Sequence, residues 1–287
     1  MEIEFLKMQA CGDDSIIVKA AHLPPGADPL LPRIAQKILA RSFGVGGNAL
    51  LLMGPTEAGE LVVRSFSPEG EEPALSCHGV RCLARYASDS GAAYASDFMM
   101  HSPDGRIRVQ IIDSANVRVD MGMPMSLETQ EEIRESPTGS FARNLLVEGR
   151  NLSYTPISLG RSYAMFFVPD LAFPLTRTAR RIAEQPDFPA GTGIGFVKVY
   201  SRDEIRLRTW EGGEESDECG CAAAAVVAAV VNGFTDREVF VHLKGGDIFL
   251  QWEESDNHLW VTGPAAYVFT GTYDYEEPEE NQETEKE

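Results

Sequence analysis

Two short segments that contain cysteine carry the residue types and spacing best suited to chemistry. They read SCHG at residues 76–79 and ECGC at residues 218–221. Each segment leads into a stretch with helical periodicity, so each is predicted to lie at a helix N-terminus. The free backbone N–H groups and the helix dipole at such a position lower the pKa of a thiol and attract a carboxylate.

The two segments, if they face each other, form a binding site for the α-carboxylate of an amino acid. A group from Ser76 or Cys77 and the thiol of Cys219 then flank the α-carbon from opposite sides. Two opposed general bases can remove a proton from one face and return one to the other. This pattern predicts racemisation or epimerisation without a cofactor. Two alternatives stay open, since buried cysteines are often structural and His78 can be an ordinary turn residue.

Most of the elements that position these two segments are predicted to be short strands, because apolar and polar residues alternate along much of the chain. Helical periodicity is less frequent. It marks four segments, which are residues 29–42, 79–87, 175–184 and 221–231. The sequence therefore predicts an α+β protein with many strands and few helices.

The sequence also looks duplicated. A turn at Gly12 has a counterpart at Gly160, and the segment at residues 76–79 has a counterpart at residues 218–221. The number of residues between counterparts is similar in the two cases. Two similar halves are predicted, with a boundary near residues 122–135, where a polar run suits a linker. A chance resemblance between glycine-rich turns is the alternative.

Charge and composition exclude several classes of function. The 287 residues include 25 basic and 44 acidic side chains, which gives a formal net charge of −19. Because this charge repels a phosphate backbone, no nucleic-acid partner is expected. No run of about 18 apolar residues predicts a membrane span. Part of the acidity lies in residues 274–287, which are predicted to form a disordered acidic tail.

The cysteine and histidine pattern predicts neither a metal nor a nucleotide. Five cysteines, an odd number, and the lack of a signal peptide predict a reduced, cytoplasmic setting. The sequence has no Cys-x-x-Cys pair and its five histidines are scattered, so no metal site is expected. It also has no glycine-rich phosphate-binding loop, so no cofactor is expected.

A series of motifs in the same order resembles the diaminopimelate epimerase family, which is related to proline racemase. The motifs are FLKMQACGDD at 5–14, RSFGVG at 41–46, SCHGVRCLARY at 76–86, IRLRTWE at 205–211, ESDECG at 215–220 and VTGPA at 261–265. The resemblance covers residues 1 to about 271. It implies two pseudo-symmetric halves, each a strand barrel around a long helix, with the site in the cleft between them. The implied halves are residues 1–122 plus 262–273 and residues 123–261, and the implied assembly is a homodimer.

The resemblance also implies roles for the two cysteine segments. Cys219 keeps the place of one catalytic base. Ser76 falls where the family has its other catalytic cysteine, and Cys77 is the alternative if the turn is rebuilt. A serine hydroxyl is a weaker base than a thiolate and needs an activator. The backbone at both helix starts is implied to hold the α-carboxylate, here at His78, Gly79, Gly220 and Cys221.

The positions that the resemblance assigns to the substrate side chain depart from the family pattern. Family asparagines are replaced at four of them, which are Asp13, Ser67, Arg161 and Gly193. The family arginine that follows Glu211, and that grips the far carboxylate of diaminopimelate, is deleted. Arg161 is the candidate replacement. Otherwise the substrate is expected to carry a neutral or cationic side chain.

The leading prediction is an amino-acid racemase or epimerase whose partner is a small-molecule amino acid, with diaminopimelate as the default substrate. The first alternative is a homologue without turnover that binds an amino acid or a partner. The second alternative is an isomerase or dehydratase that uses Cys219 as its single base.

Overall fold

The chain is described by a computed structural model that covers residues 1–55, 60–126, 131–133, 142–186, 188–216 and 219–276. The helices of this part are α1 (Leu31–Ile38), α2 (Cys77–Asp89), α3 (Leu175–Ala183) and α4 (Cys219–Val231). The strands before α3 are β1 (Glu2–Ala10), β2 (Asp13–Lys19), β3 (Ala49–Pro55), β4 (Leu61–Phe66), β5 (Asp97–Ser102), β6 (Gly105–Ile111), β7 (Asn116–Asp120), β8 (Arg143–Val147), β9 (Arg150–Ser158) and β10 (Ser162–Phe167). The strands after α3 are β11 (Gly193–Val199), β12 (Glu204–Glu211), β13 (Glu214–Ser216), β14 (Glu238–His242), β15 (Asp247–Trp252), β16 (Leu259–Pro264) and β17 (Ala266–Asp274).

The strand pairing repeats itself along the chain. From β17 through β1 to β7, neighbouring strands pair in the order antiparallel, antiparallel, parallel, antiparallel, parallel, antiparallel and antiparallel. The series from β8 through β12 and β14 to β16 has the same order. The antiparallel pair β7–β16 joins the two series. This repeat confirms the α+β fold of two similar halves.

Each half wraps its strands around one helix. α2 contacts β1, β2, β3, β6 and β7, and α4 contacts β9 to β12 together with β15 and β16. α4 is apolar on every side, and its residues 221–229 are fully buried. A helix with that pattern must be enclosed on all faces, and its alanines allow the surrounding strands to approach closely. The two cysteine segments therefore lie at the starts of the two enclosed helices.

The smaller helices cover the outside of the sheet. α1 packs its apolar side on a cluster that includes Ile16, Leu50 and Phe66, and α3 packs on a second cluster that includes Phe166 and Phe196. The linker predicted near residues 122–135 lies partly outside the described residues. The division into residues 1–122 plus 262–273 and residues 123–261 stays a prediction.

The predicted start of the acidic tail is wrong by a few residues. β17 continues to Asp274, and the side chain of Tyr275 is buried in the α1 cluster. The backbone N–H of Tyr275 donates to the carbonyl of Met1 at 2.8 Å, and the Met1 amine donates back to the carbonyl of Tyr275 at 2.7 Å. The aromatic ring anchors a segment that its acidic neighbours predict to be solvated. Residues 277–287 lie outside the described residues.

Across the described parts of the chain, none of the helices combines the length and apolar character required to cross a membrane.

Candidate active site between the two halves

A cavity of about 340 Å³ lies between the two halves. Its lining from the first half is Gly12, Asp13, Asn48 and His78, and its lining from the second half is Glu214, Glu215, Ser216 and Lys244. His78 is the second residue of α2, and Ser216 ends β13, three positions before α4 begins. The cavity therefore lies beside the start of α2 and at the end of the strand that precedes α4.

Ser76 is the N-cap of α2. Its backbone is extended, with φ −67° and ψ 149°, and its Oγ accepts a hydrogen bond from the Gly79 N–H at 3.0 Å. A side chain at Gly79 would place its Cβ 3.3 Å from both Ser76 Oγ and Leu51 Cδ1, which is a tight contact. Glycine at position 79 thus allows the cap to close. The hydroxyl of Ser76 is half-buried and held in one orientation.

Cys77 is turned away from the cap and into the interior. Its side chain is 5% exposed, and Arg81 Nη1 donates to its Sγ at 3.6 Å. Arg81 is fully buried, donates from Nη2 to Cys11 Sγ at 3.6 Å and donates from Nε to the carbonyl of Pro264 at 3.2 Å. The structure thus gives these two alternatives different surroundings, since Ser76 caps the helix and Cys77 packs on a buried guanidinium.

Cys82 is a buried thiol one turn further along α2. Burial raises the pKa of this thiol to about 12, and the nearby guanidinium of Arg81 opposes the shift only in part. A thiol with so high a pKa stays protonated at neutral pH and is a poor base. Cys82 is therefore a packing residue.

Asp13 reaches the cavity because a tight hairpin joins β1 to β2. The two turn residues, Cys11 and Gly12, have φ of 52° and 85°, as in the two-residue turns that suit the twist of a hairpin. Asp13 Oδ2 lies 3.6 Å from Nδ1 of the buried His78, and Asn48 donates a short hydrogen bond to Asp13 Oδ1. The predicted pair of site residues, Asp13 and His78, is therefore brought together.

Asp14 fixes the same hairpin from the other side. Its carboxylate lies 2.8 Å from Lys7 Nζ and 2.8 Å from Arg41 Nη2. Burial acts to raise the pKa of Asp14, but the hydrogen bonds from Arg41 and Lys7 outweigh it and hold the pKa below its usual value. The charged carboxylate stabilises the turn that carries Asp13.

Glu215 presents a fixed carboxylate to the cavity. Arg208 donates to both of its oxygens, from Nε at 2.8 Å and from Nη2 at 2.9 Å, and these bonds lower the pKa of Glu215. Arg208 is itself anchored, because Nη1 donates to the carbonyls of Leu171 at 2.7 Å and Phe173 at 3.0 Å. A bidentate pair of this kind holds the carboxylate in one place.

The start of α4 lies beneath Tyr163. Cys219 is the first residue of the helix, and its side chain lies outside the described residues. A Cβ on Gly220 would overlap the Tyr163 hydroxyl. A Cβ on Gly193 would lie 2.8 Å from the Tyr163 ring and 3.6 Å from Cys221 Sγ. The predicted residues Gly193, Gly220 and Cys221 thus meet around a tyrosine that the sequence prediction did not include.

Arg161 and Glu211 form an ion pair at the same end of the sheet. Burial raises the pKa of Glu211, whose side chain is 15% exposed, and the charge of Arg161 opposes that shift. The strand of Glu211 turns through Gly212 and Gly213, with φ of 61° and 99°, directly into β13. The turn that follows Glu211 therefore consists of two glycines, and no side chain extends from it in place of the family arginine.

Of the predicted site residues, Asp13 and His78 line the cavity, whereas Ser67 is among the described residues that do not. It follows β4, and its Oγ accepts hydrogen bonds from the N–H groups of Glu69 at 3.2 Å and Glu71 at 3.3 Å. The hydroxyl thus closes a local turn, a role that serine commonly takes.

Several residues of the site were missed in the sequence prediction. They are Asn48, Tyr163, Glu214, Ser216 and Lys244. Lys244 precedes two glycines, which indicate a turn. That turn was the one feature of the sequence that could have pointed to any of these five residues. Among the residues that the structure describes, no group of three or more His, Cys, Asp or Glu side chains is placed to hold a metal ion.

Comparison with known proteins gives the family. The family model of diaminopimelate epimerase matches residues 156–268. The diaminopimelate epimerase of Moorella thermoacetica is 37% identical over 280 residues, which is 94% of this chain and 99% of the relative. The chain belongs to the diaminopimelate epimerase family. A second member, from Desulfitobacterium hafniense, is 34% identical and covers 94% of this chain and 97% of its own length.

Solved structures of the wider fold agree. The hydroxyproline epimerase of Agrobacterium vitis superposes with a TM-score of 0.67 at 14% identity, over 96% of this chain and 94% of that chain. A PhzF-family phenazine biosynthesis protein from Bacillus anthracis gives a TM-score of 0.66 at 16% identity, over 95% and 99%. At these identities the likeness shows the fold. Membership of the family makes the protein an isomerase of the epimerase and racemase class.

Proposed function

We propose that the protein inverts the α-carbon of a free amino acid by proton transfer on two sides, without a cofactor. The observation that carries the proposal is the single cavity bounded by the first turn of α2 and by β13, which leads into α4. We place the α-carbon there, between the start of α2 and the strand that leads into α4. Proton removal from one side and return from the other is inversion.

The two helix starts suit the α-carboxylate. Backbone N–H groups in the first turn of a helix, together with the helix dipole, stabilise a negative charge. We assign this role to the backbone at four positions, His78, Gly79, Gly220 and Cys221. The same groups stabilise the extra negative charge that develops on the carboxylate as the α-proton leaves.

We assign one acid/base role to Cys219 and the other to Ser76, with Cys77 as the alternative. Ser76 is supported by its half-buried position at the cap, and Cys77 is weakened by its burial in the interior, where its side chain is 5% exposed. The hydroxyl of Ser76 needs an activator, and we assign that role to His78, two positions along the chain and 3.6 Å from Asp13 Oδ2.

The proposal is tested by incubating the reduced protein with single enantiomers of a panel of amino acids and separating the products by chiral chromatography. We expect one member of the panel to give both enantiomers, and Cys219→Ala to abolish the conversion. If the protein is folded and its thiols are reduced, but no amino acid is converted, the result would favour a homologue that only binds. Loss of water, or loss of the α-proton without inversion, would favour the one-base alternative.

Two variants of Ser76 separate its capping role from its chemistry. Ser76→Asn keeps a good N-cap and removes the hydroxyl, whereas Ser76→Ala removes both and costs about 1 kcal/mol of stability. We expect both variants to lose inversion and only the alanine variant to lose stability. Full activity in Ser76→Asn, with loss in Cys77→Ala, would transfer the role to Cys77.

A cytoplasmic location and a homodimer are part of the proposal. The odd number of cysteines in the sequence, five, supports a reducing compartment. Within the described residues, β17 pairs with β1 on one side only and exposes Tyr267, Val268 and Phe269. Two copies of this chain repel each other, because each carries a net charge of −19. An uncharged strand edge is a surface on which they can pair with little of that repulsion.

A further inference from the structure

We propose that Asn48 is a positioning residue for the reaction, because it holds Asp13 in the orientation that keeps the proton of the neutral His78 imidazole on Nδ1. These three side chains line the cavity together. The inference rests on the proposed function and deepens it, since His78 is the assigned activator of Ser76. It follows from the contacts among the three side chains and from which group donates in each contact.

Arg41 determines which way the amide of Asn48 faces. Arg41 Nη2 donates to Asn48 Oδ1 at 2.7 Å, and a guanidinium cannot accept, so the amide oxygen must be the atom on that side. The NH₂ group then faces Asp13, and Asn48 Nδ2 donates a short hydrogen bond to Asp13 Oδ1. Arg41 is itself fixed by Asp14, to which its Nη1 and Nη2 donate at 3.2 and 2.8 Å. The amide is therefore a directed donor to Asp13.

Asp13 presents its two carboxylate oxygens to different partners. Oδ1 accepts from Asn48, and Oδ2 lies 3.6 Å from His78 Nδ1. This second contact is longer than a hydrogen bond, but contacts of this kind are often long without a bound substrate and shorten when it binds. A carboxylate can only accept, so its negative charge favours the tautomer of His78 that directs an N–H at it. Nε2 is then the nitrogen that can accept a proton.

This tautomer is the one that the proposed reaction needs. The Ser76 hydroxyl gives its proton to His78 Nε2 and takes the α-proton in its place, which leaves an imidazolium. The carboxylate of Asp13 stabilises that positive charge. With the proton on Nε2 instead, the nitrogen able to accept would face Asp13, and the hydroxyl would lose its activator.

The other charged groups of the cavity belong to the second half. They are Glu214, Glu215 and Lys244. Both oxygens of Glu215 accept from Arg208, and the charge of Lys244 acts on the same carboxylate. Glu214 is exposed, so solvent screens its charge. Asp13, which Asn48 holds in contact with the imidazole, is therefore the carboxylate that orients it.

The position of the proton on His78 is measured by NMR of protein labelled with ¹⁵N-histidine, at a pH where the imidazole is neutral. The signal of His78, one of five histidines, is the one that disappears in His78→Gln. We expect the wild-type protein to carry the proton on Nδ1, and Asn48→Ala to contain the two tautomers in similar amounts, because Asp13 is then free to turn away.

The surroundings of Asn48 allow a matched control. Asn48 is exposed, so Asn48→Ala should keep the thermal midpoint close to that of the wild-type protein. Asn116 Nδ2 also donates to a carboxylate, that of Asp113, at 2.9 Å, and neither residue lines the cavity. Asn116→Ala should therefore leave the His78 tautomer and the activity unchanged.

A double-mutant cycle assigns the effect on activity to Asp13. Asn48→Ala should lower kcat at least about tenfold with little change in KM, which is part of the contribution of a general base. In the Asp13→Ala background the same replacement should lower kcat less than about twofold, because no carboxylate is left to orient. A purely structural role of Asn48 would lower kcat equally in both backgrounds.

Each outcome separates the inference from the proposed function. A wild-type imidazole with its proton on Nε2 would overturn the role of Asp13 and, with it, that of Asn48. An Nδ1 proton that persists in Asn48→Ala, or equal losses of kcat in the two backgrounds, would overturn the role of Asn48. If the tautomer changes as expected but no amino acid is converted, the proposed function fails and the control of the His78 proton by Asn48 stands.

Discussion

At the scale of single residues, the site depends on charges that are held by specific partners. Glu215 is fixed by Arg208, Asp14 by Lys7 and Arg41, and Glu211 by Arg161. The third pair differs from the other two, because burial raises the pKa of Glu211 while hydrogen bonds lower the pKa of Glu215 and of Asp14. Glu211 is thus the carboxylate whose charge is costly in the folded state.

Replacement of Arg161 should expose this cost. In Arg161→Gln the pKa of Glu211 rises further, because the cation that opposed burial is gone. We expect the free energy of unfolding to fall by about 1 kcal/mol at pH 7, a modest figure because Arg161 is half exposed. The loss should shrink toward pH 5, where the folded state takes up a proton on Glu211 before the unfolded chain does.

Urea unfolding at several pH values measures this effect. The control is Glu211→Gln with and without Arg161→Gln, where the cost of the arginine replacement should not depend on pH. A loss in Arg161→Gln that stays constant between pH 8 and pH 5, or that grows toward pH 5, would contradict the assignment.

The residue scale also shows what the sequence could indicate of the candidate site. The helix-start pattern indicated the N-cap Ser76 and the cavity-lining His78, because capping residues act through local backbone geometry. Tyr163 was missed because its contacts with Gly193 and Gly220 join positions far apart in the chain. The burial of Cys77 beside Arg81 likewise has no local signal in the sequence, and the choice between Ser76 and Cys77 stays a prediction.

At the scale of elements, α4 is the most constrained part of the molecule. Its alanines are enclosed by strands of its own half, with no exposed face on which a larger side chain could turn outward. Extra methylene groups in such a core displace strands or force strained rotamers. The position of the Cys219 backbone therefore depends on tight packing along the whole helix.

Ala225→Leu should destabilise the protein by about 3 kcal/mol or more, at the upper end of the usual cost of overpacking. Ala225 is fully buried, so the larger side chain has no outlet. Thr176→Leu on the exposed side of α3 is the matched control and should change stability by less than about 0.5 kcal/mol. Chemical denaturation measures both, and equal effects of the two substitutions would contradict the enclosed position of α4.

Periodicity predicted the elements that have one polar side and missed some that do not. β12, β14 and β15 alternate between buried and less buried residues, which is the pattern that predicts a strand. β3 reads ALLLMGP and is buried along most of its length, so alternation gives no signal there. The predicted helix at residues 29–42 is shorter in the structure, since α1 ends at Ile38.

At the scale of the whole molecule, the duplicated pairing order explains why one site forms between two halves. The repeated turns in the sequence indicated this duplication, but the pairing of β7 with β16 joins strands more than a hundred positions apart and carries no local signal. The cavity is lined by His78 in the first turn of α2 and by Ser216 at the end of β13, the strand that precedes α4. The proposed catalysis from two sides depends on that arrangement.

The exposed edge of β17 gives a test of the proposed homodimer. Val268 is 51% exposed, so Val268→Asp should leave the fold intact and place a charge on the edge. We expect a dimer of the wild-type protein and a monomer of this variant in analytical ultracentrifugation. Ile112→Asp is the matched control, because Ile112 is 52% exposed elsewhere. A monomeric wild-type protein, or a dimeric Val268→Asp variant, would contradict the proposal.

The most direct test of two-sided proton transfer is the fate of the α-proton in D₂O, followed by proton NMR from each enantiomer of the substrate that the panel identifies. The wild-type protein should exchange the α-proton of both enantiomers and convert each into the other with deuterium at the α-carbon. Cys219→Ala and Ser76→Asn should each abolish the conversion. Exchange by the wild-type protein that leaves the configuration unchanged would contradict two opposed bases and leave a single base as the mechanism.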